Sequence, residues 1–180
     1  MKLATLIAQF TAGPGYATPE DIQKAFGDYH NVLHWLAHFL LGDETLAGSC
    51  IVDACTIAQH QSPMFHDWLI HWAARATVGC ALRLQRDLVN EQAVAYATET
   101  QIEPERMLLS SDDLNILVEH SQEIHEQLDA FCRGVLILRG IARDSSEKVA
   151  AQLGIAQEAI EQAYSVALGT IRRACPGRPI

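Results

Sequence analysis

Apolar residues recur at three- and four-residue steps through most of this chain, the period of amphipathic helices. Thr18-Pro19-Glu20-Asp21 is a strong helix start. Thr suits the cap, Pro the first position, and acids the positive end of the dipole. The spacing predicts a helix from there to about Leu41, with Phe26, Tyr29, Leu33, Leu36 and Leu40 as its buried stripe and Gly42-Asp43 as its end. A second helix is expected from Thr45 to Gln59. Ser62-Pro63 starts a third, whose stripe reads Phe65, Trp68, Leu69, Trp72, Ala76, Cys80 and Leu84. That stripe puts Trp68 and Trp72 in a core. Together these helices form a unit over about residues 18–90.

Residues 91–110 are acidic and Ala-rich, contain Pro104, and read as a linker that is helical in part. Ser111-Asp112-Asp113 caps a further helix. Residues 130–142 hold the run Val135-Leu136-Ile137-Leu138; four such residues suit a strand, but helical neighbours on both sides favour a buried helix. Asp144-Ser145 then caps the last segment. Val149, Ala150 and Leu153 share one face, Gly154 stops that helix, and Ile155 is expected to plug the turn. Beyond it, Ile160, Ala163, Ala167, Leu168 and Ile171 make a packing stripe. Glu158, Glu161, Gln162, Ser165, Gly169 and Arg172 lie on the opposite face. This is the layout of a helix-turn-helix, whose second helix enters the DNA major groove. It is also the layout of any two amphipathic helices joined by glycine. The fold class expected is therefore all-α: two small helical domains, residues 1–90 and 111–180, joined by an acidic linker at 91–110, with a C-terminal helix-turn-helix.

Composition supports a globular chain: of 180 residues, 49% are apolar and 19% charged. Five cysteines without Cys-x-x-Cys spacing (Cys50, Cys55, Cys80, Cys132, Cys175) read as reduced, mostly buried thiols in a cytoplasm. The first ten residues are too weakly apolar for a secretory signal, and no run is long enough to span a membrane, so no membrane partner is expected. Net charge is −9 and unevenly spread: 11 acids face the single base Arg106 between Asp87 and Asp129, which leaves the rest of the chain at +1. Neither part is a basic DNA-binding surface of the usual kind.

Two separated segments resemble the small two-domain extracytoplasmic-function sigma factors of bacterial RNA polymerase. Leu40-Leu41-Gly42-Asp43 is similar to their "LLGD", Ala47 opens a helix similar to "AEDlvQe", and Trp68-Leu69 with Ala73 resemble "WLyrIA". Arg83 and Arg86 fall in the Arg-rich stretch that follows. Further on, Arg133 to Arg139 resembles "re-vl-LR", Ser146 to Ile155 resembles "yeEIAe-LGI", Ala159-Ile160 stands for "TV", and Ile171-Arg172-Arg173 for "LRR". The resemblance covers about two thirds of the chain. It implies a first domain that docks on core RNA polymerase, with Asp53 at the docking helix, and contributes Arg83 and Arg86 to promoter opening. It implies a last domain that places Gln157, Glu158, Glu161, Gln162, Ser165, Arg172 and Arg173 against promoter DNA. An anti-sigma factor is a further expected partner. No cofactor is implied.

The departures fall on the functional positions. In the docking helix, Gly48, Ser49 and Val52 replace acid, acid and Gln. In the last helix, Glu161, Gln162 and Ala163 replace Lys, Ser and Arg. From Asp144 to Cys175 there are four acids and three bases. Nonspecific DNA affinity comes from Lys and Arg neutralising phosphates, and each like-charge contact near a surface costs on the order of 1 kcal/mol at low salt. Glutamate accepts from cytosine N4, so an acid can read a base. It still needs anchors, for which Arg172, Arg173, Arg133 and Arg139 are the candidates. If the helix faces phosphate, Glu161→Lys raises duplex affinity.

His30, His34 and His38 line one face of the first helical segment, a spacing that can hold a metal, although no acid or Cys is spaced to supply a third ligand; a solvated histidine face is the plainer reading. Trp35, Trp68 and Trp72 suit either packing or a stacking platform for melted bases. The chain has no nucleophile elbow, phosphate loop or His-Glu-x-x-His, so an enzyme is not expected. Three functions are carried forward: a divergent sigma-like initiation protein, a sigma-like protein-interaction module that has lost DNA recognition, and a metal-responsive regulator using the histidine face.

Overall fold

The computed structural model describes residues 15–60, 64–98 and 109–174. Every regular element among them is helical, as the periodicity predicts; the one β feature is an isolated antiparallel bridge, Tyr16 to Phe65. In chain order the helices are α1 (Pro19–Asp28), α2 (His30–Leu41), α3 (Glu44–Gln59), α4 (Leu69–Leu84, entered through a 3-10 turn, His66–Trp68), α5 (Arg86–Thr98), α6 (Ser111–Glu119), α7 (Ser121–Gln127), α8 (Ala130–Val135, continued by a π-helical stretch, Leu136–Ile141), α9 (Ser146–Leu153) and α10 (Gln157–Arg173).

The chain forms two compact units, one of Met1–His38 with Asp43–Cys80, the other of Phe39–Gly42 with Ala81–Ile180. The division runs through α2 and α4 rather than through a linker at 91–110. Helix α5 belongs to the second unit because Val89 and Ala93, four residues apart, are buried and the helix packs on α8 and α10. Residues 99–108 of the expected linker lie outside the described residues.

In the first unit, Thr18 and Asp21 form a reciprocal capping box: the Thr18 hydroxyl accepts from Asp21 N at 3.2 Å, and Asp21 accepts from Thr18 N at 2.9 Å. The first helix does not run on to Leu41. It stops at Asp28, and Tyr29 leaves helical geometry at φ −106° and ψ 14°, after Gly27 and Asp28, both weak helix formers. The expected stripe survives the break: Phe26, Tyr29, Leu33, Leu36 and Leu40 are all buried. Helix α1 packs on α3, which buries Ala47, Cys50, Ile51, Ala54 and Ala58.

Helix α4 is turned away from its expected phase. It buries Leu69, Ala73, Thr77, Cys80 and Ala81, whereas Phe65 is 58% exposed, Trp68 66%, and Leu84 is exposed too. The expected start at Ser62-Pro63 lies outside the described residues, and the regular helix begins only at Leu69. Trp68 sits in the 3-10 turn, which has a different angular step. Small residues then set the contact: Thr77 donates to Ala73 O at 2.9 Å, and the Cys50 thiol reaches Thr77 O at 3.5 Å.

The second unit is built around α10, which packs against α5, α6, α7, α8 with its π continuation, and α9. Ile160, Ala163, Ala167, Leu168 and Ile171 are buried as expected, and Tyr164 and Thr170 join them. The run Val135–Leu138 is helical and buried, its last residues π-helical. Helix α6 is capped one residue earlier than expected, by Ser110, in a second capping box with Asp113. Arg133 is only 8% exposed. It donates to Leu40 O at 3.2 Å, to His125 O at 3.1 Å and to Leu128 O, while His125 Nδ1 donates to Phe39 O at 2.8 Å. The last carbonyls of α2 thus meet a buried cation and an imidazole, the partners a helix C-terminus favours.

Candidate nucleic-acid interface

Ser145 starts α9 by accepting from Lys148 N at 3.2 Å. Gly154 ends it in the left-handed region, φ +71°, with its N–H and that of Ile155 both returning to Ala150 O. Ile155 is half-covered, not the buried plug expected, and α10 begins two residues later at Gln157 with no side-chain cap on its Ala156 end. Helix, turn and helix therefore succeed one another without forming a continuous rod.

The outward face of α10 is smaller than the sequence suggests. Of its 17 residues only Gln157, Glu158 and Arg173 are exposed; Glu161, Gln162, Ser165, Gly169 and Arg172 are half-covered. Gln157 donates to Glu161 at 2.9 Å, so this end is an acid with a neutral partner. Arg173 donates to the Thr170 hydroxyl at 3.1 Å.

Three further cations, Arg133, Arg139 and Lys148, are held by the fold, whereas Arg143 is exposed. Arg133 is buried on three carbonyls. Arg139 donates to Asp144 O at 2.8 Å and lies 5.2 Å from the Tyr164 ring centre, a cation–π contact. Lys148 is paired with the buried carboxylate of Asp144. Arg133 and Arg139 are therefore not available as phosphate anchors, contrary to expectation. Arg83 and Arg86 are exposed and belong to the second unit.

The first unit carries a different kind of surface. On α3, Leu46 (48% exposed), Ser49, Val52 (65%) and Asp53 are open, so the expected docking residue Asp53 sits beside two exposed aliphatics. Tyr16 and Phe65 stack with ring centres 5.1 Å apart and planes 19° apart; both are more than half exposed. Sequence reading missed this pair because only the bridge between residues 16 and 65 brings them together. Trp68 is exposed rather than packed, whereas Trp35 and Trp72 are half-covered.

Two clusters resemble chemistry. Cys132 donates to the Tyr96 oxygen at 3.0 Å, Tyr96 donates to Asp129 at 2.8 Å, and Asp129 caps α8 by accepting from Cys132 N at 2.7 Å. Burial pushes the Cys132 thiol up to about 12 and raises Tyr96 as well. A thiol held protonated is no nucleophile, so this network fastens α5 to α8. Cys50, Cys80 and Cys132 are buried and Cys55 half-covered, all unbridged; Cys175 lies outside the described residues. The second cluster is the histidine face, where His30 is exposed and His34 and His38 are half-covered.

Among the described residues no helix is long and apolar enough to cross a membrane. No family model, curated protein or solved structure matches the chain.

Proposed function

We propose that this chain is a non-enzymatic protein-docking module with the layout of a sigma factor, whose partner is the transcription machinery: core RNA polymerase or an anti-sigma protein. In this reading the last helix is a structural element and not a reader of promoter DNA. The observation that carries it is the state of α10, packed on several neighbours with three of 17 residues exposed, while Arg133, Arg139 and Lys148 are engaged within the fold. A groove-reading helix needs an open face and phosphate anchors beside it. The docking surface is the exposed side of α3, with Leu46, Ser49, Val52 and Asp53: apolar side chains at its centre with an acid at the edge suit a protein partner.

A second reading, direct DNA contact, is favoured by one feature. Gln157 and Glu158 are exposed at the N-terminal end of α10, where helix-turn-helix proteins make base contacts.

Co-purification with core polymerase and titration with duplex DNA at low salt separate the two. The docking reading expects retention of polymerase, a loss of that retention of about tenfold or more in Val52→Asp, and no salt-dependent duplex binding. Tight duplex binding that falls steeply with salt, and that rises in Glu161→Lys, would instead establish DNA reading.

A further inference from the structure

The histidine face of α2 is not arranged as a metal site: among the described residues no three His, Cys, Asp or Glu side chains are, and Glu44 meets His34 and His38 only as an ion-pair partner, at 3.3 and 3.8 Å. The first unit carries a more specific surface in its aromatic rings. Among the described residues, every exposed Phe, Tyr or Trp belongs to two short segments that the β bridge joins: Tyr16 (65%) on one, Phe65 and Trp68 on the other. Hydrogen bonds flank the bridge, Ala17 N donating to Met64 O at 2.8 Å and His66 N to Gly15 O at 3.2 Å. Tyr16 and Phe65 are thus a non-hydrogen-bonded antiparallel pair, the geometry that brings facing side chains closest, and their rings stack. Trp68 follows one 3-10 turn after Phe65, its N–H donating to Phe65 O at 3.0 Å, which returns it to the same edge of the chain. The backbone therefore fixes where the rings stand while much of each stays in water.

Charge says what such a surface takes. Residues 15–28 and 64–68, which carry it, hold four acids, Glu20, Asp21, Asp28 and Asp67, and one base, Lys24. Glu20 and Asp67 are exposed, and Asp21 Oδ1 lies 3.7 Å from the imidazole of His66, the residue between Phe65 and Asp67. The Thr18 backbone N–H and hydroxyl hold the Asp21 carboxyl below the usual carboxylate range, so this charge persists at neutral pH. The next cation along α4, Arg75, is half-covered and stands about two turns beyond Trp68. We infer that Tyr16, Phe65 and Trp68, edged by Glu20, Asp21 and Asp67, form a docking surface for an arginine-bearing peptide segment of a protein partner. Guanidinium groups stack on aromatic faces and pair with carboxylates, and both are offered here. Single-stranded nucleic acid, the other ligand that exposed rings suit, brings phosphates against the same carboxylates. None of the α3 residues of the docking reading takes part, so the two surfaces are tested separately.

Fluorescence anisotropy of a labelled Arg-Gly repeat peptide, titrated with the full chain at low salt, is the test. Saturable binding is expected. It should weaken about fivefold or more in Trp68→Ala and in Phe65→Ala, and less in Asp67→Asn, and a Lys-Gly peptide of equal charge should bind more weakly. The aromatic substitutions leave the net charge at −9, so they separate this surface from the general attraction of a basic peptide to an acidic chain. In the unsubstituted protein the ring resonances of Tyr16 and Phe65 should shift as peptide is added, a reading that needs no variant to fold. Equal affinity in the parent and the aromatic variants overturns the surface. So does a single-stranded oligonucleotide that binds more tightly than the peptide. Self-association that Trp68→Ala abolishes would give the rings to a second copy of the chain and overturn the peptide assignment.

Discussion

Helices α3 and α10 are nearly equal in length, 16 and 17 residues, and each buries an apolar stripe, yet they meet solvent very differently. Helix α3 keeps seven residues exposed, Leu46 and Val52 among them; α10 keeps three. A buried apolar stripe thus belongs to a surface helix in one unit, whose open face also carries aliphatic residues, and to a central helix in the other. What differs is the number of neighbours. Helix α10 is contacted by five helices that precede it in the chain, α5 to α9, whereas among α3's helix contacts only that with α1 is extensive. A helix that organises a core keeps a narrow open face, whereas a helix left open with aliphatic side chains exposes apolar surface.

The largest effect that would break this comparison concerns Arg133. If Arg133 is structural, Arg133→Met leaves the carbonyls of Leu40, His125 and Leu128 without their donor and destabilises the protein by about 3 kcal/mol or more in urea unfolding. Arg173→Met, at an exposed position, should stay within about 0.5 kcal/mol. Equal effects would mean that Arg133 is as dispensable as a surface cation. Next in size is a matched pair on the two helices. Ile160→Ala should cost about 2–4 kcal/mol, and Val52→Ser less than about 0.5 kcal/mol while weakening partner retention. A Val52→Ser variant that melts as early as Ile160→Ala would place α3 in a core after all.

The packing stripe of α10 was legible because Ile160, Ala163, Ala167, Leu168 and Ile171 are apolar and periodic. Burial of Tyr164 and Thr170 was not, since both are amphipathic and their cover comes from helices distant in sequence. Likewise Glu161 and Gln162 read as outward, although helices around α10 half-cover them. The phase of α4 was misjudged from its start: Ser62-Pro63 invited a helix there, and the regular helix waits until Leu69. Arg133 shows the same limit from the other side. An arginine reads as surface, and only the arrival of a helix end 93 residues earlier in the chain makes it a core residue. The approach of Glu44 to His34 and His38 escaped notice because it depends on one backbone turn. What local sequence settles is the helix and its apolar face; what it leaves open is how many neighbours arrive.

Two glycines carry the comparison down to single atoms. Gly42 and Gly154 both sit at φ +71°, one at the turn into α3, the other at the turn into α10. A side chain at either incurs the same backbone penalty, about 1 kcal/mol. Around Gly154 an added Cβ meets nothing within 4 Å, whereas at Gly42 it would stand 2.6 Å from His125 Nε2. That imidazole cannot swing aside freely, because its Nδ1 holds the Phe39 carbonyl. Gly154→Ala should therefore lose about 1 kcal/mol, and Gly42→Ala a further ~1–2 kcal/mol as the His125 bond is strained or broken. The extra loss should vanish in a His125→Ala background, where no ring opposes the new methyl. Persistence of the difference in that background would show that backbone strain alone separates the two turns.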